Sequence, residues 1–212
     1  MSKSAEVHRF GLPYNHPMVG SLPASKAAEY VAQTCKARER RQRLVVDAGC
    51  GAGRNTVFLL EKGFRVVALD VSERNLGTVR RMAGAARAVG KLKTHALDLV
   101  EDRIPVEDGK AYAVLDVWVL GSVILRHDGR AGAKKYLKEV HRILKPGGLF
   151  VCEFETLKPR RCSKDLKAYC SNLVKGCFTV VSWEAMRADY AQHFEGRVRA
   201  RPGPALFVVA QK

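Results

Sequence analysis

Val46-Asp47-Ala48-Gly49-Cys50-Gly51-Ala52-Gly53-Arg54-Asn55 ends an apolar, β-branched run and opens a helix-like one. Three glycines at alternate positions let the backbone turn tightly and let a ligand approach it closely. A dinucleotide-binding turn would carry G-x-G-x-x-G ahead of a pyrophosphate, whereas the spacing here is G-x-G-x-G with an acid two positions before the first glycine. A carboxylate at that point disfavours phosphate and suits a ligand with an ammonium group. No Gly-Lys-Ser/Thr follows, so the turn is not a P-loop. A tight turn packing a helix on a strand would explain one of these glycines but not all three.

Outward from this turn, the chain alternates strand-like and helix-like stretches from Leu44 to Glu155, the pattern of a parallel sheet covered by helices. Strands are expected at Leu44 to Asp47, Arg65 to Asp70, Lys93 to Ala96, Ala113 to Val117 and Leu149 to Glu155. The helices between them are Arg54 to Lys62 ended by Gly63, one capped by Ser72 and stopped by Gly90, and Ala131 to Leu144 closed by Lys145-Pro-Gly-Gly148. Ahead of the first strand lies a helix of about Ser25 to Arg41. Beyond the fifth strand, Ser182-Trp-Glu-Ala-Met186 reads as a capped helix start. Pro202-Gly-Pro204 reads as the turn of an antiparallel hairpin between Arg197 to Arg201 and Ala205 to Ala210. With 212 residues, 47% of them apolar, the chain is expected to form one domain. Its expected parts are an N-terminal arm and helix over 1–43, a ligand-binding core over 44–155, and an acceptor-side insertion with the C-terminal hairpin over 156–212.

Two further acids stand where this topology places ligand groups. Asp70 closes the second strand, where a carboxylate accepts from ribose hydroxyls in a bidentate manner. Asp98, in His95-Ala-Leu-Asp-Leu99, ends the third strand and is placed to accept from an exocyclic amine, with Leu97 or Leu99 against a purine ring. These residues resemble the class I S-adenosylmethionine-dependent methyltransferases. Asp47 to Gly53 is similar to their first motif, Asp70 to their ribose acid, Asp98 to their adenine-side acid, and Leu144-Lys-Pro-Gly-Gly148 to the turn before their fifth strand. The resemblance implies a Rossmann-like α/β fold: a seven-stranded mixed sheet in order 3-2-1-4-5-7-6, the last strand antiparallel, with helices on both faces. It also implies S-adenosyl-L-methionine as cofactor and S-adenosyl-L-homocysteine as product. The cofactor-binding set drawn from it is Asp47, Gly49, Cys50, Gly51, Gly53, Asn55, Asp70, Val71, Asp98 and Leu99. A weaker likeness, through Gly53-Arg-Asn-Thr-Val-Phe-Leu-Leu60 and Trp183 to Tyr190, is to the small tellurite-resistance and thiopurine-type methyltransferases.

Methyl transfer asks few protein groups to be reactive, because the sulfonium carries its own leaving group and the enzyme aligns acceptor, methyl carbon and sulfur. An alcohol or phenol acceptor would gain a further ~10²–10⁴-fold from a general base. Asp116, between apolar residues at the end of the fourth strand, is the first candidate for that base, and His127 the second. Tyr14, His16, Trp118 and Glu153 are the candidates for holding the acceptor. The expected function is methylation of N, O or S on a small molecule.

The net charge of +16, from 37 Lys and Arg against 21 Asp and Glu, favours anionic partners over long range. It keeps two alternatives open: an RNA or protein methyltransferase docking through basic clusters at 38–43, 158–164 and 197–201, and a non-catalytic cofactor-binding subunit. The Asn/Asp-Pro-Pro-aromatic motif of amino-directed base methyltransferases and the Pro-Cys nucleophile of cytosine-C5 enzymes are absent. Six cysteines without CxxC or Cys/His pairing read as free thiols, with no metal site expected. The absence of a long apolar run or a signal-peptide h-region suggests a cytoplasmic protein that is not embedded in a membrane.

Overall fold

The computed structural model describes residues 23–124, 128–155, 172–194 and 197–212. Helix α1 (Lys26–Thr34) and a 3₁₀ turn (Ala37–Gln42) precede strand β1 (Leu44–Ala48). Then come α2 (Arg54–Glu61), β2 (Arg65–Asp70), α3 (Glu73–Ala85), β3 (Leu92–Ala96) and β4 (Ala111–Val117). A π-helical turn (Leu120–Ile124), α4 (Gly129–Ile143), β5 (Leu144–Glu155), β6 (Thr179–Phe194) and β7 (Arg197–Gln211) complete the order.

The seven strands lie in the order β3-β2-β1-β4-β5-β7-β6. Strands β1 to β5 pair in parallel, and β7 runs antiparallel to both β5 and β6. This is the fold expected from the resemblance. Burial on both faces explains the near-continuous apolar strands. Val45, Ala113, Leu115, Val151 and Val209 pack with α1 and α2 on one side. Val46, Val114, Phe150, Cys152 and Val208 pack with α4 on the other.

Local signals set the helix ends. The Ser25 side chain accepts from Ala28 N and starts α1, and Ser72 does the same for α3 through Asn75 N. Gly63, at φ +98°, follows α2. Two helices end earlier than expected. α1 gives way to a 3₁₀ turn in the Arg-rich run, and α3 stops at Ala85 rather than Gly90, just ahead of Arg87 at φ +52°.

The sequence expectations fail most clearly near the end of the chain. Ser182 to Met186 is strand, not helix, because β7 supplies a full ladder: Ser182 pairs with Val209 and Met186 with Ala205. Tertiary pairing outweighs a local capping pattern. Pro202-Gly203-Pro204 is not the hairpin turn either; it lies inside β7, whose first residue, Arg197, pairs with Phe194 at the end of β6. The prolines fit because β5 pairs only with residues 205–211, leaving the earlier part of β7 with β6 as its one sheet neighbour. Edge backbone tolerates missing N–H donors, and two prolines two residues apart present theirs to the same side.

Phe150 is fully buried and stacks on Phe178 with ring centroids 5.5 Å apart. Phe150→Ala is expected to cost about 3–5 kcal/mol in urea unfolding. Val181→Ser, on an exposed β6 side chain, should stay within about 0.5 kcal/mol of the parent.

Candidate functional site

The carboxyl ends of β1, β2, β4 and β5 meet in one row. Ala48 pairs with Leu69 and with Asp116, Asp116 pairs with Cys152, and Val117 pairs with Glu153. Asp47, Asp70, Asp116 and Glu153 therefore gather at one end of the sheet, and all four are buried. Buried carboxylates need donors, and each finds them in a different loop or helix.

The glycine turn crosses this row. Gly49, Gly51 and Gly53 have φ of +68°, +53° and +90°, a region in which side chains with a Cβ are strained. A Cβ at Gly49 would lie 2.2 Å from Val119 Cγ2, and one at Gly53 would lie 2.7 Å from Val79 Cγ2. These two glycines are there for packing. Around Gly51 nothing comes within 4 Å of the Cβ position, so the middle of the turn faces open space. Cys50 anchors the turn by donating from its N–H to Leu69 O at 2.8 Å. Its thiol is buried, with a pKa pushed well above the ordinary value mainly by desolvation, which makes it a packing group rather than a nucleophile.

Asp47 Oδ2 accepts from Thr56 Oγ1 at 2.6 Å. Burial raises its pKa to about 6, against the lowering effect of Thr56 and of the Arg54 charge. Asp70 Oδ2 accepts from Gly51 N at 2.8 Å, and Oδ1 accepts from Ser72 N at 2.8 Å and Asn75 Nδ2 at 3.2 Å. Burial raises the Asp70 carboxyl as well. Oδ2 is the oxygen with acceptor capacity to spare, so a bidentate grip would require Asn75 to yield. Val71, just beyond, is 47% exposed, an apolar side chain left open beside this acid. Asp98 Oδ1 accepts from Val100 N at 2.8 Å and Glu101 N at 3.3 Å, which shapes the turn after β3, with Leu99 partly buried against the core.

On the expected acceptor side, Asp116 is fully buried. It caps the π-helical turn, accepting from Val119 N at 3.2 Å and from Leu120 N at 3.0 and 3.2 Å. Its pKa is raised to about 6, chiefly by desolvation. The buried Tyr136 hydroxyl lies close enough to affect that carboxyl, although it has no partner at full hydrogen-bond geometry. The expectation of a general base thus meets a carboxylate with no exposed surface. Glu153 Oε1 accepts from Ala27 N at 2.9 Å, and Asn55 Oδ1 accepts from Ser25 N at 2.9 Å. Both side chains are turned towards the entry of α1. Burial raises the Glu153 carboxyl.

Trp118 has φ +69°, a costly backbone state for a bulky residue, about 1–3 kcal/mol. Its N–H donates to Glu153 O at 2.9 Å, and its ring lies 5.2 Å from the Arg54 guanidinium carbon. Tyr14, His16 and His127 lie outside the described residues, as does the basic segment 158–164. Sequence reasoning missed Thr56, Asn75, Val79 and Val119, which hold the acids and glycines in place. The first two follow Asp47 and Asp70 by nine and five positions, early in α2 and α3, a spacing that could have revealed them. Among the described residues, no cluster of His, Cys, Asp and Glu could hold a metal ion, and no helix is long and apolar enough to cross a membrane.

A family profile described as "Methyltransferase domain" matches residues 45–148, the stretch that builds this acidic row and its turns. The chain belongs to the class I S-adenosylmethionine-dependent methyltransferases. It is 36% identical over 106 residues to an uncharacterized methyltransferase of Synechocystis sp., covering 50% of this chain and 44% of the relative. It is 32% identical over 151 residues to a demethylmenaquinone methyltransferase of Clavibacter sepedonicus, covering 69% and 55%. The chain thus spans about half the length of these curated relatives. The structure of TehB from Haemophilus influenzae superposes with a TM-score of 0.63 at 14% identity, over 89% of this chain and 62% of that one, which shows a shared fold. The cofactor of this methyltransferase family is S-adenosyl-L-methionine. The open space at Gly51, beside the buried Asp70, fits such a ligand.

Asp47 and Asp116 both titrate near 6 in the folded protein, above the ordinary 3.8. Between these values the native chain binds more protons than the unfolded one. Their contribution to stability is therefore full below about pH 4 and is lost as pH rises through about 6. Urea unfolding from pH 4 to 7.5 should show Asp116→Asn gaining on the parent as pH rises. A difference between the two that does not vary with pH would contradict the assignment.

Proposed function

We propose that this methyltransferase domain moves a methyl group from S-adenosyl-L-methionine to a nucleophilic N, O or S of a small-molecule acceptor by in-line displacement. The observation that carries this reading is the glycine turn: the space at two glycines is taken by neighbouring valines, while Gly51, whose N–H donates to Asp70 Oδ2, has open space at its Cβ position. When bound, the cofactor supplies an activated methyl on a sulfonium, so the chain's own task is alignment.

Asp47, ionised above about pH 6, suits the α-ammonium. Asp70 Oδ2 suits a ribose hydroxyl, and Val71 with Leu99 suits the faces of an adenine whose exocyclic amine meets Asp98. The backbone of Gly49, Cys50, Gly51 and Gly53 gives the close approach, and Asn55 holds the chain entering α1 beside it. Asp116 acts as a positioning residue, fixing the turn that carries Val119 against Gly49. Trp118, held in a strained backbone state at the end of β4, is the acceptor-side aromatic. With Asp116 capped, an acceptor that needs no protein base, such as a thiolate, an amine or an ionised phenol, fits this reading best. The Clavibacter relative, named for a demethylated quinone, supports a small organic acceptor.

Calorimetric titration with S-adenosyl-L-methionine is expected to give micromolar binding. Asp70→Ala should abolish it, and Gly51→Ala should weaken it by at least tenfold while leaving a folded protein. Affinity of the parent should fall as pH drops below about 6, where Asp47 gains its proton. No binding, or binding that Asp70→Ala retains, would overturn the cofactor reading. Binding without methyl transfer to any small thiol, amine or phenol would overturn the acceptor class.

A further inference from the structure

The end of the sheet opposite the glycine turn has its own pattern. Arg65 pairs with Leu44, Leu44 and Leu144 both pair with Ala111, Val66 pairs with Leu92, and Leu149 pairs with Gln211. These registers mark the amino ends of the parallel strands, together with the carboxyl end of β7. Each of the six adjacent strands β3-β2-β1-β4-β5-β7 carries a cation within one residue of its end there: Lys91, Arg65, Arg43, Lys110, Lys145 and Lys212. Arg38 and Arg41, both exposed, add to the row from the 3₁₀ turn ahead of β1.

Helix-terminus compensation accounts for part of the row, since Lys91 closes the 3₁₀ turn Val89–Lys91, Arg43 is the C-cap of the 3₁₀ turn ahead of β1, and His141 and Arg142 lie in the last turn of α4, but Arg65, Lys110, Lys145 and Lys212 close no helix. Internal pairing accounts for little of it. Among the acids at this end, Glu39 pairs with Arg43 at 2.7 Å, Glu107 with Lys110 at 3.8 Å, and Asp108 and Glu139 both pair with Arg142, at 2.7 and 2.8 Å; Glu61 also lies here. Arg65 and Lys91 are exposed and form no ion pair among the described residues. Arg43 and Lys145 sit over the same Tyr112 ring, at 5.3 and 5.0 Å from its centroid, so two like charges are held together. Glu39 acts on both, but at Lys145 it offsets less than Arg43 imposes, so a further anion would relieve the repulsion that remains.

We infer that this basic row is a docking surface for the phosphodiester backbone of a nucleic acid, separate from the methyl-transfer site. Six strands about 4.8 Å apart span about 24 Å, over which one nucleic-acid strand presents roughly seven charges at one per ~3.4 Å. Six cations along that length meet a comparable number of phosphate charges. A bilayer fits less well, because among the described residues Val181, on β6 beside the end of β7, is the one large exposed apolar side chain near the row, while Val71 and Trp183 lie further from it. The five residues of β1 put about 15 Å between the row and the glycine turn. A docked strand therefore leaves the cofactor site open and is not itself the acceptor.

The test is fluorescence anisotropy with a labelled 20-nucleotide RNA and a 20-base-pair DNA, from 50 to 200 mM KCl, on the parent and on the Arg65→Ser/Lys91→Ser/Lys110→Ser variant. The parent should bind at least one of them, with log K falling linearly in log salt. For the RNA, the variant should bind at least tenfold more weakly at 100 mM KCl, with a slope shallower by about 2, from three lost contacts at ~0.7 each. Its melting temperature and its affinity for S-adenosyl-L-methionine should match the parent's, and saturating RNA should leave the parent's cofactor affinity unchanged. Three results would overturn the proposal: a variant that keeps the parent's affinity and slope, competition between RNA and S-adenosyl-L-methionine, or a parent that binds neither nucleic acid, whether or not it binds phosphatidylglycerol vesicles.

Discussion

Four carboxylates buried at the carboxyl ends of neighbouring strands impose the constraint from which most of this architecture follows. An unsatisfied buried charge would cost several kcal/mol, so each acid must draw donors towards itself, and the donors come from whatever chain follows or overlies the strand. Asp47 takes the Thr56 hydroxyl and so fixes α2 on β1. Asp70 takes Gly51, Ser72 and Asn75, tying the glycine turn to the start of α3. Asp116 takes Val119 and Leu120, and Glu153 takes the first turn of α1. The acids act as staples before they act on any ligand.

That double duty explains why the site has so few reactive groups. A carboxylate held by two or three donors is a poor general base, yet it keeps the backbone rigid where a ligand must be gripped. Rigid placement is what methyl transfer requires, since the barrier is lowered chiefly by alignment. The strained φ of Trp118 belongs to the same economy: its N–H is pinned to β5 and its ring lies against Arg54, so the surrounding contacts impose the conformation.

The parts of the fold legible in the sequence are those whose causes are local. The glycine turn, the strand-end acids and the Ser72 cap all lie within a few residues of what they organise, and the alternation from Leu44 to Glu155 reports burial on both faces. Glu153 was picked out as an acceptor group, but its backbone partner in α1 is 126 residues away, and no local pattern records such a contact. The error at Ser182 to Met186 has the same origin. A serine two residues before a glutamate looks like a helix start, but the β7 ladder decides the outcome. Pro202 and Pro204 misled for a related reason, because their tolerance depends on β5 ending its pairing at Ala205.

The charge distribution follows from topology as well. In a chain of β-α units every helix starts at the carboxyl end of a strand and finishes at the amino end, so partial positive charge collects where Asp47, Asp70 and Asp116 stand. Acids at that end are favoured by the helix termini and by the loop N–H groups they accept. Lysines and arginines placed there would face unpaired backbone donors, so an excess of +16 is better carried at the opposite end. Topology alone, however, would put cations at helix ends, as at Lys62 and Arg142, and does not call for those at Arg65, Lys110, Lys145 and Lys212. The cations stand instead at the strand ends, one for each of six neighbouring strands, where ladder geometry holds them at regular intervals. Lys212 donates to Leu144 O, and Arg43 and Lys145 pack on Tyr112, so part of the row braces the fold. Arg65 and Lys91 make no such contact among the described residues, and a line of cations along a rigid edge is what recognition of a polyanion would require.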